Sequence, residues 1–239
     1  IDNINVTLGD TASTPYCPSS GGSTTAPSLY PAVHDAAEQM KAKLISGAAA
    51  ILEVSENDLL YSNGTISVKN DESKSLDISG VVRKMREQVL VTTGARSANP
   101  DGYAINSFGA QFAEVAVDTE TGKVIVKKIV AAHDIGRILN RKTLENQFHG
   151  GIIQGLSYAL MEERMMNNYT GKVLTTNLYD YKMPTILDIP DIEIIIVSEG
   201  DPLISSTGVK GIGEPAIIPT AGAIANAVYH AIGVRIKSL

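Results

Sequence analysis

Two runs of the chain, Phe112–Asp118 and Lys123–Ala132, read as extended segments on either side of Thr119-Glu120-Thr121-Gly122. Alternation of apolar and polar residues gives an extended chain one core-facing side, and turn residues between the runs make them antiparallel neighbours. This hairpin commits the chain to a sheet, and the rest supplies helices to cover it. Leu29 to about Ile51 carries Leu29, Val33, Ala36, Ala37, Met40 and Leu44 on one stripe at helical spacing. Val81–Val91 reads as a shorter helix, Leu144 to about Met166 as a long one, and Pro215 to about Ala231 as the last. Further strands are expected at Ile1–Leu8, at Leu59–Tyr61 and Thr65–Val68 around the hairpin pair Asn63-Gly64, and at Ile192–Val197. Strands and helices alternate irregularly, without repeated βαβ units. That predicts an α+β fold of mixed sheets with packed helices. The polar stretch Thr92–Gly102 suggests a first α+β subdomain over residues 1–100 and a second over residues 101–239.

Residue usage removes several classes of function. Cys17 is the one cysteine, so an internal disulfide and an all-cysteine zinc or iron–sulfur site are impossible within this chain. The thiol is expected to be inert rather than nucleophilic. His34, His133, His149 and His230 form no pair at metal-ligand spacing, so no protein-ligated metal is expected. The net charge is -6 and no long basic run occurs, which argues against nucleic acid as a partner. No apolar run reaches the length of a membrane span. The opening Ile1-Asp2-Asn3-Ile4-Asn5 has neither Met nor a signal-peptide pattern, and reads as the interior of a longer, cytoplasmic chain.

Three segments can carry chemistry. Gly21-Gly22-Ser23-Thr24-Thr25-Ala26-Pro27-Ser28 precedes a helix; backbone N–H groups and hydroxyls there suit an anion, or simply cap the helix. It lacks the lysine of a P-loop. Gln147-Phe148-His149-Gly150-Gly151-Ile152-Ile153-Gln154-Gly155 puts three glycines in a helical pattern, each costing roughly 1 kcal/mol relative to Ala. They allow close approach of another helix, the simpler explanation, or of a flat ligand that Gln147 and Gln154 could hydrogen-bond. In Lys210-Gly211-Ile212-Gly213-Glu214-Pro215, Pro215 fits the first position of a helix and Glu214 its N-cap. A carboxylate there interacts with the helix dipole, or serves a ligand pressed against the glycines.

These segments occur in an order that resembles the molybdenum-cofactor subunit of the xanthine dehydrogenase/aldehyde oxidase family. The resemblance also takes in Phe108-Gly109-Ala110-Gln111-Phe112, the run from His133-Asp134-Ile135-Gly136 to Asn140, Asp188-Ile189-Pro190, and Gly233-Val234-Arg235-Ile236. Only Leu52 to about Asn99 is undistinctive. Arg141, His149 and Ala216 depart from the family's usual residues.

The resemblance implies a hydroxylase of purines or related N-heterocycles, with aldehydes the alternative substrates and water the oxygen source. A non-catalytic binding or scaffold fragment is the rival from another class. A molybdenum ion held by a pyranopterin (molybdopterin, with or without a cytosine dinucleotide) would do the redox work, so the protein binds, orients and moves protons. Glu214 would be the catalytic base. Gly21, Gly22, Ser23 and Thr25 would contact the cofactor, Gln147 would hydrogen-bond the pterin, and Gln154 is a weaker candidate for the same task. Expected partners are the rest of the molybdenum subunit, iron–sulfur and FAD-bearing chains or domains, and a small-molecule substrate. The family's upstream substrate-side segments have no counterpart here, so this chain alone should be inactive.

Overall fold

The computed structural model describes residues 4–17, 19–86 and 89–239, and its fold is α+β. The order is α1 (Thr25–Leu52), β1 (Leu59–Ser62), β2 (Thr65–Val68), β3 (Asp71–Asp77), α2 (Ile78–Met85), β4 (Phe108–Val117), β5 (Val124–Asp134), α3 (Arg141–Leu160), β6 (Asp191–Val197) and α4 (Ile218–Ile232).

One sheet is the antiparallel β1-β2-β3 meander, whose first turn is Asn63-Gly64, both residues at positive φ as this hairpin turn requires. The other has the order β4-β5-β6: β4 and β5 form the expected antiparallel hairpin, and β6 joins β5 in parallel after α3 has crossed over. In the β4–β5 turn, the Asp118 carboxylate accepts from the Glu120 N–H at 2.9 Å and the Thr121 hydroxyl at 2.7 Å.

Each sheet has its own core. Leu44, Ala48, Leu59, Ile66 and Val81 close the first, under α1 and α2. In α3, Leu144, Phe148, Ile152 and Leu156 recur every four residues and close the second with Ile129, Ala131 and Ile224. Truncating Phe148, which is fully buried, would cost about 3–5 kcal/mol.

Several boundaries differ from expectation. Residues 1–3 of the first expected strand lie outside the described residues, and residues 4–8 are exposed without regular structure. Helix α1 starts four residues early, and Leu29 and Val33 of its apolar stripe are exposed. Helix α2 is Ile78–Met85 rather than Val81–Val91, because Asp77 caps Gly80 N–H at 2.8 Å and left-handed Arg86 stops it; residues 87–88 lie outside the described residues. Strand β3 has few apolar residues to betray it. Helix α3 begins three residues early, at the Asn140 cap on Thr143 N–H, and ends at Leu160; Met166 instead bridges to Val173. The last helix starts at Ile218, not Pro215. Among the described residues no helix is long and apolar enough to cross a membrane.

Candidate functional site

The glycine-rich loop reaches Glu214 directly. Gly22 and Ser23 both take positive φ, 73° and 62°, so the loop bends sharply just before α1. The Ser23 hydroxyl donates to Glu214 Oε2 at 3.1 Å and accepts the Glu214 backbone N–H at 2.8 Å. A Cβ on Gly211 would overlap the Ser23 carbonyl; one on Gly213 would lie 2.9 Å from Ser23 Oγ and 3.4 Å from Gln147 Oε1. These glycines are therefore needed for close approach, and Gln147 belongs to the same cluster.

The loop hydroxyls do not cap α1. Thr24 occupies the N-cap without a side-chain bond to the helix; its hydroxyl donates to the Gly21 carbonyl at 3.3 Å. Thr25 donates to Ser20 Oγ at 2.5 Å. Gly21, Gly22 and Thr25 are exposed at the start of a 28-residue helix, where N–H groups and the dipole favour negative charge. Beside the loop opens a cavity of about 610 Å³, lined by Ser23, Thr24, Arg96, Ser107 and Pro215 among others. A second, of about 190 Å³, includes Ala26, Asn140, Gln147 and Lys210 in its wall.

Glu214 is not an N-cap, because Ile217 holds that position and Ile218, followed by Pro219, takes the first helical position expected of Pro215. Instead Glu214 opens a turn closed by the Ile217 N–H on its carbonyl at 2.9 Å. Its carboxylate is exposed and lies three residues before the N-cap, outside the first turn of α4 where the dipole acts most strongly. Gln154 is not brought to the cluster by any contact of its own: it is exposed, and its amide donates to the Tyr158 hydroxyl at 2.7 Å. Cys17 is exposed in the loop before Gly21.

Two supports of the Glu214 segment carry no obvious sequence signal. Lys210, almost fully buried, holds Asp134 at 2.5 Å and Asp201 at 3.1 Å. Burial pushes its ammonium down, but the hydrogen bonds to Asp134 and Asp201 outweigh this and leave it above its ordinary value. Those bonds also hold Asp201 below the usual carboxylate range, against its own desolvation. Asp134 further accepts Gly136 N–H at 3.0 Å, and the Gly136 turn meets the Gly208 carbonyl where no side chain would fit. The second support is Gln111 with His133 and Thr220, all buried beneath Ala216. Burial lowers the His133 imidazole below its ordinary value.

The helix glycines divide. Cβ atoms on Gly151 and Gly155 would lie 2.7 Å from Ala216 Cβ and 2.6 Å from Thr220 Cβ, so these two seat the start of α4 against α3. Gly150 faces open space. Of the departures from the family's usual residues, Ala216 is buried in this seat, and Arg141 pairs with Glu145 at 2.8 Å on the surface.

A family described as the molybdopterin cofactor-binding domain matches residues 1–190. The putative xanthine dehydrogenase molybdenum-binding subunit XdhA of Escherichia coli is 36% identical over 98% of this chain, and the aldehyde oxidoreductase molybdenum-binding subunit PaoC of Escherichia coli is 30% identical over 99%. The chain spans 31% of the length of each. Among solved structures, reconstituted CO dehydrogenase from Oligotropha carboxidovorans superposes with a TM-score of 0.79 at 27% identity, over 94% of this chain and 28% of that one. With this fold, this ordered match and this convergence of loop and turn, the chain belongs to the molybdopterin cofactor-binding domain family of the xanthine dehydrogenase/aldehyde oxidase type.

Proposed function

We propose that this chain is the cofactor-facing, base-bearing part of a molybdenum hydroxylase that oxidises purines or related N-heterocycles. The observation that carries this is the paired hydrogen bond between Ser23 and Glu214, residues 191 positions apart, with Gln147 beside them. The higher identity to the xanthine dehydrogenase subunit supports a purine-type substrate, and the 30% identity to the aldehyde oxidoreductase subunit supports aldehydes as the second substrate class.

The chain's features fit a molybdenum–pyranopterin group. Exposed Gly21, Gly22 and Thr25 offer backbone at the positive end of α1 for an anionic group, and the Gln147 amide offers both a donor and an acceptor to a pterin edge. Gln154, two turns along α3, reaches such a ligand only by leaving Tyr158. Either the plain pterin or its cytosine dinucleotide suits this surface. When bound, the group supplies two-electron redox chemistry. Glu214 takes a proton from the water-derived nucleophile, and Ser23 orients the carboxylate that receives it. Net hydroxylation inserts one oxygen from water into a C–H bond and releases two protons and two electrons. Iron–sulfur and FAD-bearing partners would take the electrons, and the remainder of the molybdenum subunit would supply the substrate pocket. The chain alone would then be inactive. We read residues 1–100 and 101–239 as two subdomains, which the two separate cores support. Metal and pterin analysis of the purified natural complex tests this reading: about one molybdenum and one pterin per active site are expected. A metal-free complex that still oxidised heterocycles would overturn it.

A further inference from the structure

We propose that Gln111 is a positioning residue for Glu214, acting through the carbonyl of Ala216. This rests on the reading of Glu214 as the base. Gln111 lies on β4 at 8% exposure, and two of the three hydrogen bonds of its amide go to the Ala216–Thr220 segment that follows Glu214. Its Nε2 donates to the Ala216 carbonyl at 2.8 Å, two residues past Glu214 and inside the turn that Glu214 and Ile217 close. Its Oε1 accepts the Thr220 hydroxyl at 2.6 Å, which ties the same amide to the first turn of α4. The second Nε2 hydrogen faces His133 Nε2 at 3.3 Å. That arrangement makes His133 Nε2 the acceptor and puts the imidazole proton on Nδ1, which is buried without a partner.

An apolar side chain at position 111 would fill the same space but withdraw the donor that His133 Nε2 and the Ala216 carbonyl receive from the amide. Packing from Gly151 and Gly155 limits how far Ala216 can move, but it is non-directional. The Gln111 amide fixes the orientation of the turn, and hence where the Glu214 carboxylate meets Ser23. The sequence marks Gln111 only as part of the matched Phe108–Phe112 segment, and its partners lie too far along the chain for local pattern to assign it a role.

The test uses the full assembled enzyme carrying Gln111→Met, Thr220→Val or Thr220→Ser. Gln111→Met should lower kcat per bound molybdenum about 10- to 100-fold with KM little changed. Molybdenum and pterin content should stay at the parent level, and amide exchange over residues 214–220 should accelerate. Thr220→Val should show the same split, and Thr220→Ser should recover most of it. If Gln111→Met does not assemble, the Thr220 pair decides. Lower thermal stability with unchanged kcat in these variants would make Gln111 a packing residue and overturn the proposal. Normal turnover in Glu214→Gln would instead overturn the base reading beneath it. An inactive Glu214→Gln beside a fully active Gln111→Met rejects the positioning role alone.

Discussion

Ser23 and Glu214 are bonded twice, side chain to side chain at 3.1 Å and backbone N–H to hydroxyl at 2.8 Å. One hydroxyl thus acts as donor and acceptor across two loops, and it does so from a residue at φ 62°, where a non-glycine backbone is strained. Ser23→Ala and Ser23→Gly both remove the two bonds, and both should lower kcat in the assembled enzyme. They should differ in stability. The left-handed backbone costs Ala about 1–2 kcal/mol, whereas Gly loses only about 0.5–1 kcal/mol of extra chain entropy. Thermal unfolding should therefore rank Ser23→Gly above Ser23→Ala; the reverse order would contradict this view of the loop.

Two glycines of α3 give a matched comparison. Gly150→Ala faces open space and should stabilise by up to about 1 kcal/mol from helix propensity. Gly155→Ala places a methyl 2.6 Å from Thr220 Cβ, and overpacking of about 1–3 kcal/mol outweighs the same propensity gain. Denaturant midpoints should move in opposite directions. Stabilisation by both substitutions would show that α3 and α4 do not need this seat.

Much of this was legible in the sequence, for reasons that differ by residue. Asn63-Gly64 and Thr119–Gly122 announced hairpins because turn backbones select their residues. Gly211 and Gly213, expected to press against a ligand, approach Ser23 instead, and Gly151 and Gly155 proved to be helix packing. Pro215 misled because a second proline, Pro219, sits four residues on and is the one that lies in the first turn of α4. Strand β3 escaped because Asp71–Asp77 contributes little beyond Leu76 to the core. The role of Asp134 and Lys210 was invisible for a different reason: they lie 76 positions apart, and local pattern does not report long-range ion pairs.

That ion-paired triad anchors the segment leading to Gly211. Lys210→Met would leave Asp134 and Asp201 facing each other without a cation, at a cost of about 3 kcal/mol; this is the low end for a broken buried pair, because both carboxylates reach water. A denaturation midpoint close to the parent's would show that Lys210 is not the anchor. In the parent protein, the raised folded-state value means this contribution is complete below the ordinary lysine value of 10.5 and is lost as pH rises through the folded value.

His133 gives the complementary pH signature. Burial pushes its imidazole below the ordinary 6.5, so the unfolded chain binds the proton first as pH falls. Its contribution to stability is therefore fully present above about pH 6.5 and is lost as pH drops from there through the folded value, by at most about 1.4 kcal/mol per pH unit. Unfolding free energies of the parent and His133→Gln, compared across this window, should show the steeper acid loss in the parent. Parallel curves would mean that His133 does not titrate as its burial requires.

The central claim is that Glu214 moves the proton. The direct measurement is kcat of the assembled enzyme with Glu214→Gln, together with its molybdenum content. Gln keeps the size of the side chain and can still meet Ser23, but it does not accept the proton. Turnover should fall by about 10²–10⁴-fold with the metal content unchanged. Turnover at the parent's rate with full metal content would contradict the assignment of Glu214 as the base.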